Sequence, residues 1–183
     1  MRVVVYDACV LYPAPLRDLL IRLARAGLAR AHWTNQILDE CFRSILRTRP
    51  ELAEPLRRTR TLLAAAVPDG LIDEALIDEL SLPDPDDRHV LAAAIHAGAK
   101  CIITFNLKDF PIDILAQHQV EAIHPDEWVM DLIETAPAAV TAVLMRQAAD
   151  LRSPPQSVEQ VMELLSRTGL PMSIARLRGL FGG

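Results

Sequence analysis

The chain has 183 residues, 51% of them hydrophobic and 23% charged, which is enough to bury one full-sized core and excludes overall disorder. Its 19 basic against 24 acidic side chains leave a net charge of −5, which argues against a general polyanion binder while leaving room for a local basic rim.

The apolar, β-branched run Arg2–Tyr6 predicts a buried strand that ends at Asp7. Pro13 and Pro15 mark a turn into a helix near Leu16–Ala26, whose Leu16, Leu19, Leu20, Leu23 and Ala24 recur at helical spacing, with Gly27 closing it. Thr34 is the expected N-cap of the next helix, which Pro50 limits, and a third helix covers about Glu51–Val67. The stretch from Gly70 to Leu82 fits either short strand or helix at Leu71-Ile72 and Ala75-Leu76-Ile77. An acidic turn then opens a helix reaching about Gly98, followed by a buried strand over Lys100–Thr104. Val120–Ile123 reads as a last short strand, and Pro125-Asp126 starts a helix through Glu134. This order predicts an α/β fold with a central parallel sheet flanked on both sides. From Thr135 the pattern becomes all-α: an Ala-rich helix Ala136–Leu151, a break at Ser153-Pro154-Pro155, a capping box opening at Ser157, and a short helix after Pro171. The expected division is 1–134 and 135–183.

Four acidic stations are spread over the first part. Asp7 ends the first strand; Glu40 lies within a helix; Asp86 and Asp87 open another; Asn106 and Asp109 follow the strand at Cys101-Ile102-Ile103. In an open parallel sheet, functional groups gather beyond the carboxyl ends of the strands. Carboxylates sharing one crevice repel each other unless a cation lies between them, and an all-oxygen donor set suits Mg²⁺ or Mn²⁺. Each station also has a plainer role. Glu40 shares a helix face with Arg43 and can pair with it, one of Asp86 and Asp87 can cap their helix, and Asp109 can turn the chain before Phe110-Pro111. Thr104 is either a plain strand residue or a hydroxyl that orients a carboxylate. His89 and His96 are seven positions apart on one helix, too far to share an ion with ease. Cys9, Cys41 and Cys101 have no zinc spacing and read as reduced thiols within apolar runs. Asp7 interrupts the opening run too early for a secretory signal, and no run of about 20 apolar residues exists, so a cytosolic protein without a membrane span is expected.

The strand ending in Asp7, the helix bearing Glu40, and the segments Asp-Asp-Arg-His-Val-Leu-Ala-Ala-Ala and Ile-Ile-Thr-Phe-Asn-Leu-Lys-Asp-Phe resemble, in order, the PIN-domain nuclease family, and in particular VapC-like ribonuclease toxins. The resemblance covers roughly 1–134, and its last two segments are the most specific. It implies a PIN-like α/β/α sandwich, a divalent-metal-dependent endoribonuclease using Mg²⁺ or Mn²⁺, an RNA substrate and a cognate antitoxin. It places Asp7, Glu40, Asp87, Asn106 and Asp109 at the family's metal positions, with Asp7, Glu40, Asp87 and Asp109 as the catalytic carboxylates. The spacing to Ala92-Ala93 favours Asp87 over Asp86. Many members carry an aspartate where Asn106 stands; its amide oxygen can ligate but brings no charge, and Asp109 can supply one.

Between 41 and 60, six arginines face two glutamates, so Arg43, Arg47 and Arg57 are candidates for gripping RNA phosphates beside Glu40, against the simpler reading of a solvated helix surface. The rival from another class is a PIN-fold module that binds RNA or a partner with weak or no cleavage. A receiver-like phosphotransfer domain is disfavoured by the helix at Glu40 and the Thr104–Phe110 segment. The helical tail has to bury its apolar faces, either by docking on the first domain or in a homodimer contact or an antitoxin groove.

Overall fold

The computed structural model describes residues 1–75 and 80–181, so Leu76 and Ile77 of the ambiguous stretch lie outside the described residues. Four parallel strands form the sheet: β1 (Arg2–Tyr6), β2 (Ala29–His32), β3 (Cys101–Ile103) and β4 (Glu121–Ile123), in the order β2-β1-β3-β4. Val4, Val5 and Tyr6 are fully buried, as expected of a central parallel strand covered on both faces. The edge strand β2 was not expected from the sequence. Ala-Arg-Ala-His lacks the β-branched residues that mark a strand, and its pairing with β1 is a tertiary effect. Beyond it, Leu71 makes an isolated parallel bridge to Trp33, so that part of the ambiguous stretch extends the edge.

The helices that carry or cover the site are α1 (Ala8–Leu11), α2 (Ala14–Arg25), α3 (Asn35–Thr48), α4 (Ala53–Ala66), α5 (Arg88–His96), α6 (Ile112–Gln117) and α7 (Pro125–Thr135). The very short α1 and α6 were not legible in the sequence. Thr34 caps α3 by accepting the Ile37 N–H at 3.2 Å, as expected. In α5, Ala92, Ala93 and Ala94 are buried against the sheet. Their small side chains let the helix lie close to β1 and β3, which carries its N-terminus to the sheet's carboxyl edge.

The tail forms α8 (Pro137–Asp150), α9 (Val158–Arg167) and α10 (Pro171–Phe181). α7 and α8 meet at a bend of 119°. Ala136, which precedes Pro137, is pushed out of helical geometry to φ −146°, ψ 58°. The expected capping box at Ser157 is present. These helices dock on the first domain: α8 and α9 against α2, and α10 against α7. Val140, Leu144, Val161, Leu165, Ile174 and Leu177 provide the buried face. Arg22 bonds Asp150 at 2.8 Å across this junction, and Gln147 donates to the Pro15 carbonyl at 3.0 Å. Gly169, at φ +112°, passes so close to Phe105 that a Cβ would lie 2.5 Å from the ring. The tail thus leans on the residue between Thr104 and Asn106. Among the described residues no single helix is long and apolar enough to cross a membrane.

Buried Asp126 on α7 accepts the backbone N–H groups of Met172 and Ser173 at 2.9 and 2.8 Å, and so caps α10 from another helix. Asp126→Ala leaves both donors without their acceptor and is expected to cost about 2 kcal/mol, the upper range for a lost cap. Asp126→Asn, which keeps an acceptor oxygen, should cost less. Urea midpoints of the two variants, read at unchanged slope, check this order.

Candidate active site

β2 and β3 lie on either side of β1, so the chain passes β1 on its way from β2 to β3, and the crevice at the carboxyl ends of β1 and β3 is where an open parallel sheet places ligands. Pairing Tyr6 with Ile103 brings Asp7 alongside Thr104. The Asp7 N–H bonds to the Ile103 carbonyl at 3.1 Å, so the site begins on ladder geometry. Asp7 is 3% exposed. Its carboxylate caps α1 through the Ala8 N–H at 2.6 Å. It also accepts the Thr104 hydroxyl at 2.7 Å and the Cys9 thiol at 3.1 Å. Thr104 therefore orients a carboxylate. Cys9 was missed, because a thiol near apolar residues reads as core; it is in fact half-buried, whereas Cys41 and Cys101 are buried. The only sequence signal was its position two residues after Asp7.

Burial raises the pKa of Asp7, the Thr104 and Cys9 hydrogen bonds oppose that rise, and the Glu40 charge adds to it. Burial and the neighbouring Asp7 charge push the Cys9 thiol up to about 12, so it is a neutral donor.

Asp87 is half-buried and Asp86 exposed. The capping expectation needs correction. Asp84 is the residue whose side chain caps the turn, accepting the Asp86 N–H at 2.9 Å, while Asp87 stands at the N-terminus of α5 without a side-chain cap bond. Asp87 is thereby released from local bonding. Its pKa is raised to about 7, first by burial, then by the charges of Asp7, Asp84, Asp109 and Glu40. Three of the expected stations, Asp7, Asp109 and Glu40, thus act electrostatically on the fourth, Asp87. Asp109 ends a 3₁₀ turn over Leu107–Asp109 and is half-buried, while Asn106 is exposed.

Glu40 does not take Arg43 as its partner. It meets His89, Nε2 to Oε2 at 3.2 Å, because α3 lies against α5. His89 had been set aside on the sequence, since only the packing of those two helices reveals the contact. Arg43 and Arg47 line an open groove with Glu40, Gln36, Arg88 and His89. Arg57 lines a second groove with Asp39, Phe42 and Leu56, and pairs with Glu54 at 3.3 Å.

The donor chemistry fits a hard divalent cation: oxygen ligands only, with burial and then the charges of Asp7, Asp84, Asp109 and Glu40 raising the Asp87 pKa, and no counter-charge among those causes. Among the described residues, no three His, Cys, Asp or Glu side chains are gathered closely enough to hold an ion as they stand. Asp7 is pinned by its hydrogen bonds, whereas Asp87 and Asp109 are half-buried and Glu40 is exposed.

A PIN-domain family model matches residues 3–108. The chain belongs to the PIN-domain family. A second model, the VapC50 C-terminal domain, matches residues 125–179 of this PIN protein. Over 95 residues it is 37% identical to the protein named "Putative ribonuclease VapC50" from Mycobacterium tuberculosis (strain ATCC 25618 / H37Rv). That alignment covers 52% of this chain and 56% of the relative, so the chain spans about half the length of the curated relative it matches. No solved structure matches. This is a VapC-like PIN domain with a helical C-terminal extension, as the sequence resemblance implied.

A carboxyl whose folded pKa lies above its unfolded value favours the fold in its protonated form. Its contribution is complete below about pH 4 and is lost as pH rises through about 7. Asp87→Asn removes this loss. Without divalent cation, the melting temperature of the variant should exceed that of the wild type by a margin that grows between about pH 5 and pH 8. Differential scanning calorimetry across that range checks the sign. A constant margin would mean that Asp87 titrates normally.

Proposed function

We propose that this PIN protein is a divalent-metal-dependent endoribonuclease and the toxin of a toxin–antitoxin pair. The observation that carries the reading is the convergence of Asp7, Glu40 and Asp109 on Asp87 in the crevice of a PIN-family sheet. The name of the M. tuberculosis relative supports ribonuclease chemistry, and the second family match supports a VapC-type assignment. An RNA substrate and a cognate antitoxin are what that assignment entails.

In this mechanism Asp7 and Asp87 would be the main ligands, Glu40 would ligate or orient the water, and Asn106 with Asp109 would complete the set. Mg²⁺ or Mn²⁺ supplies Lewis acidity and a nucleophilic water at neutral pH. Asp7 provides a fixed oxygen, because its carboxylate is already bonded on three sides. Asp87, whose pKa burial and neighbouring charges raise, would hold a cation in its deprotonated form. His89 holds Glu40 at the mouth of the groove, and Arg43 and Arg47 along the same groove bind backbone phosphates and orient the strand. The nucleophile is water, so no covalent enzyme intermediate is required.

Purified protein should cut single-stranded RNA in Mg²⁺ or Mn²⁺ and stop in chelator. Asp7→Asn and Asp87→Asn should each lower the rate by on the order of 100-fold or more, the scale of a lost electrostatic or acid–base contribution. Both variants should remain folded by circular dichroism. Metal-independent cutting, or full activity in both variants, would refute the mechanism. RNA binding without any cutting would favour the binding-module reading, to which the uncharged Asn106 lends itself.

Arg43→Ala with Arg47→Ala should make the log–log salt dependence of RNA binding shallower by roughly 1.4, about 0.7 for each lost single-strand phosphate contact. Arg57→Ala, on a separate groove and paired with Glu54, should change it less. Equal slopes in all three proteins would return the arginines to a solvated surface.

A further inference from the structure

A carboxylate has about four acceptor positions, two on each oxygen. At Asp7, Oδ1 takes the Ala8 N–H at 2.6 Å. Oδ2 takes two donors, the Thr104 hydroxyl at 2.7 Å and the Cys9 thiol at 3.1 Å. The proton positions follow from the other bonds of these two side chains. Thr104 Oγ1 accepts the Asn106 N–H at 2.9 Å, which directs its own proton at Asp7. Cys9 Sγ accepts the Phe105 N–H at 3.2 Å, which leaves its proton for Asp7, with Thr104 Oγ1 farther off at 3.4 Å. Oδ2 is thereby filled, and Oδ1 keeps one free lone pair.

We propose that Cys9 is a positioning residue of the active site: its thiol, held by the Phe105 amide, closes Asp7 Oδ2 and leaves Oδ1 as the one oxygen with a free acceptor position for a divalent cation. The inference rests on the cation-dependent reading given above. Cys9 does more than the Thr104 hydroxyl alone can. With Thr104 and Ala8 only, one position on Oδ2 stays open and the carboxylate is held by two bonds in place of three. Cys9 also reaches from α1 to the backbone of the segment that carries Asn106 and Asp109. One side chain therefore ties the β1 half of the site to the β3 half. Groups that orient a metal ligand in this way commonly change metal affinity by about 10–100-fold when removed.

The test is calorimetric titration of the intact chain with Mn²⁺, with wild type, Cys9→Ala, Cys9→Val, Cys9→Ser and Asp7→Asn each measured below its melting temperature. Valine fills the space but neither donates nor accepts; serine is smaller and does both. Cys9→Ala and Cys9→Val are expected to weaken Mn²⁺ binding by about tenfold or more, while Cys9→Ser stays near wild type. A residue that merely packs would give the reverse order, with valine tolerated and serine impaired, and that order overturns the proposal. Asp7→Asn separates the two levels of the argument. If it loses the ion while Cys9→Val keeps wild-type affinity, only the role of Cys9 falls. If Asp7→Asn binds Mn²⁺ as tightly as wild type, the cation reading falls and the role of Cys9 falls with it.

Discussion

Burying the Asp7 carboxylate at the end of the central strand is costly, and hydrogen bonds or a counter-charge must offset that cost. Its neighbours are arranged around this requirement. The chain turns immediately into α1 so that the first helical N–H can bond the carboxylate. The register of β1 with β3 sets Thr104 beside it. The alanine face of α5 lets that helix approach until Asp87 shares its field. Hydrogen bonds hold Asp7 in place, but they do not neutralise the other carboxylates. The pKa of Asp87 is raised first by burial and then by those charges, which the divalent cation of the proposed function would offset.

The parts of this arrangement that depend on local chemistry were legible in the sequence. Val3–Tyr6 and Cys101–Ile103 are apolar runs that cannot lie outside a core, and Thr34 and Ser157 are caps with an immediate partner. The parts that depend on packing were not. Ala29–His32 is a strand only because β1 offers it an edge. Glu40 chooses His89 over Arg43 because α3 and α5 meet, which helical spacing within α3 does not reveal. Asp84 takes the capping role expected of Asp86 or Asp87 because Pro85 starts the 3₁₀ turn one residue later, placing Asp84 at its N-cap. Cys9 looked like core because a thiol's hydrogen bonds leave no mark on composition.

The helical tail is more closely joined to the site than its lack of acidic stations suggested. α10 is capped by Asp126 of α7, and Gly169 rests on Phe105, whose ring also meets His124 edge-on with centroids 5.2 Å apart. Phe105 in turn donates its amide to Cys9. A continuous line of contacts therefore runs from the C-terminal helices to the residue beside Asp7. The family match over 125–179 starts at α7, in keeping with the packing of α7 and α10 as one unit.

The proposed function makes the Asp7 crevice a divalent-cation site. Anomalous diffraction from crystals soaked in Mn²⁺ tests it most directly. The account requires a peak at ligand distance from Asp7 Oδ1, roughly 2.0–2.2 Å for a small hard cation, with Asp87 turned towards it. A peak located elsewhere, or none at saturating Mn²⁺, would contradict it.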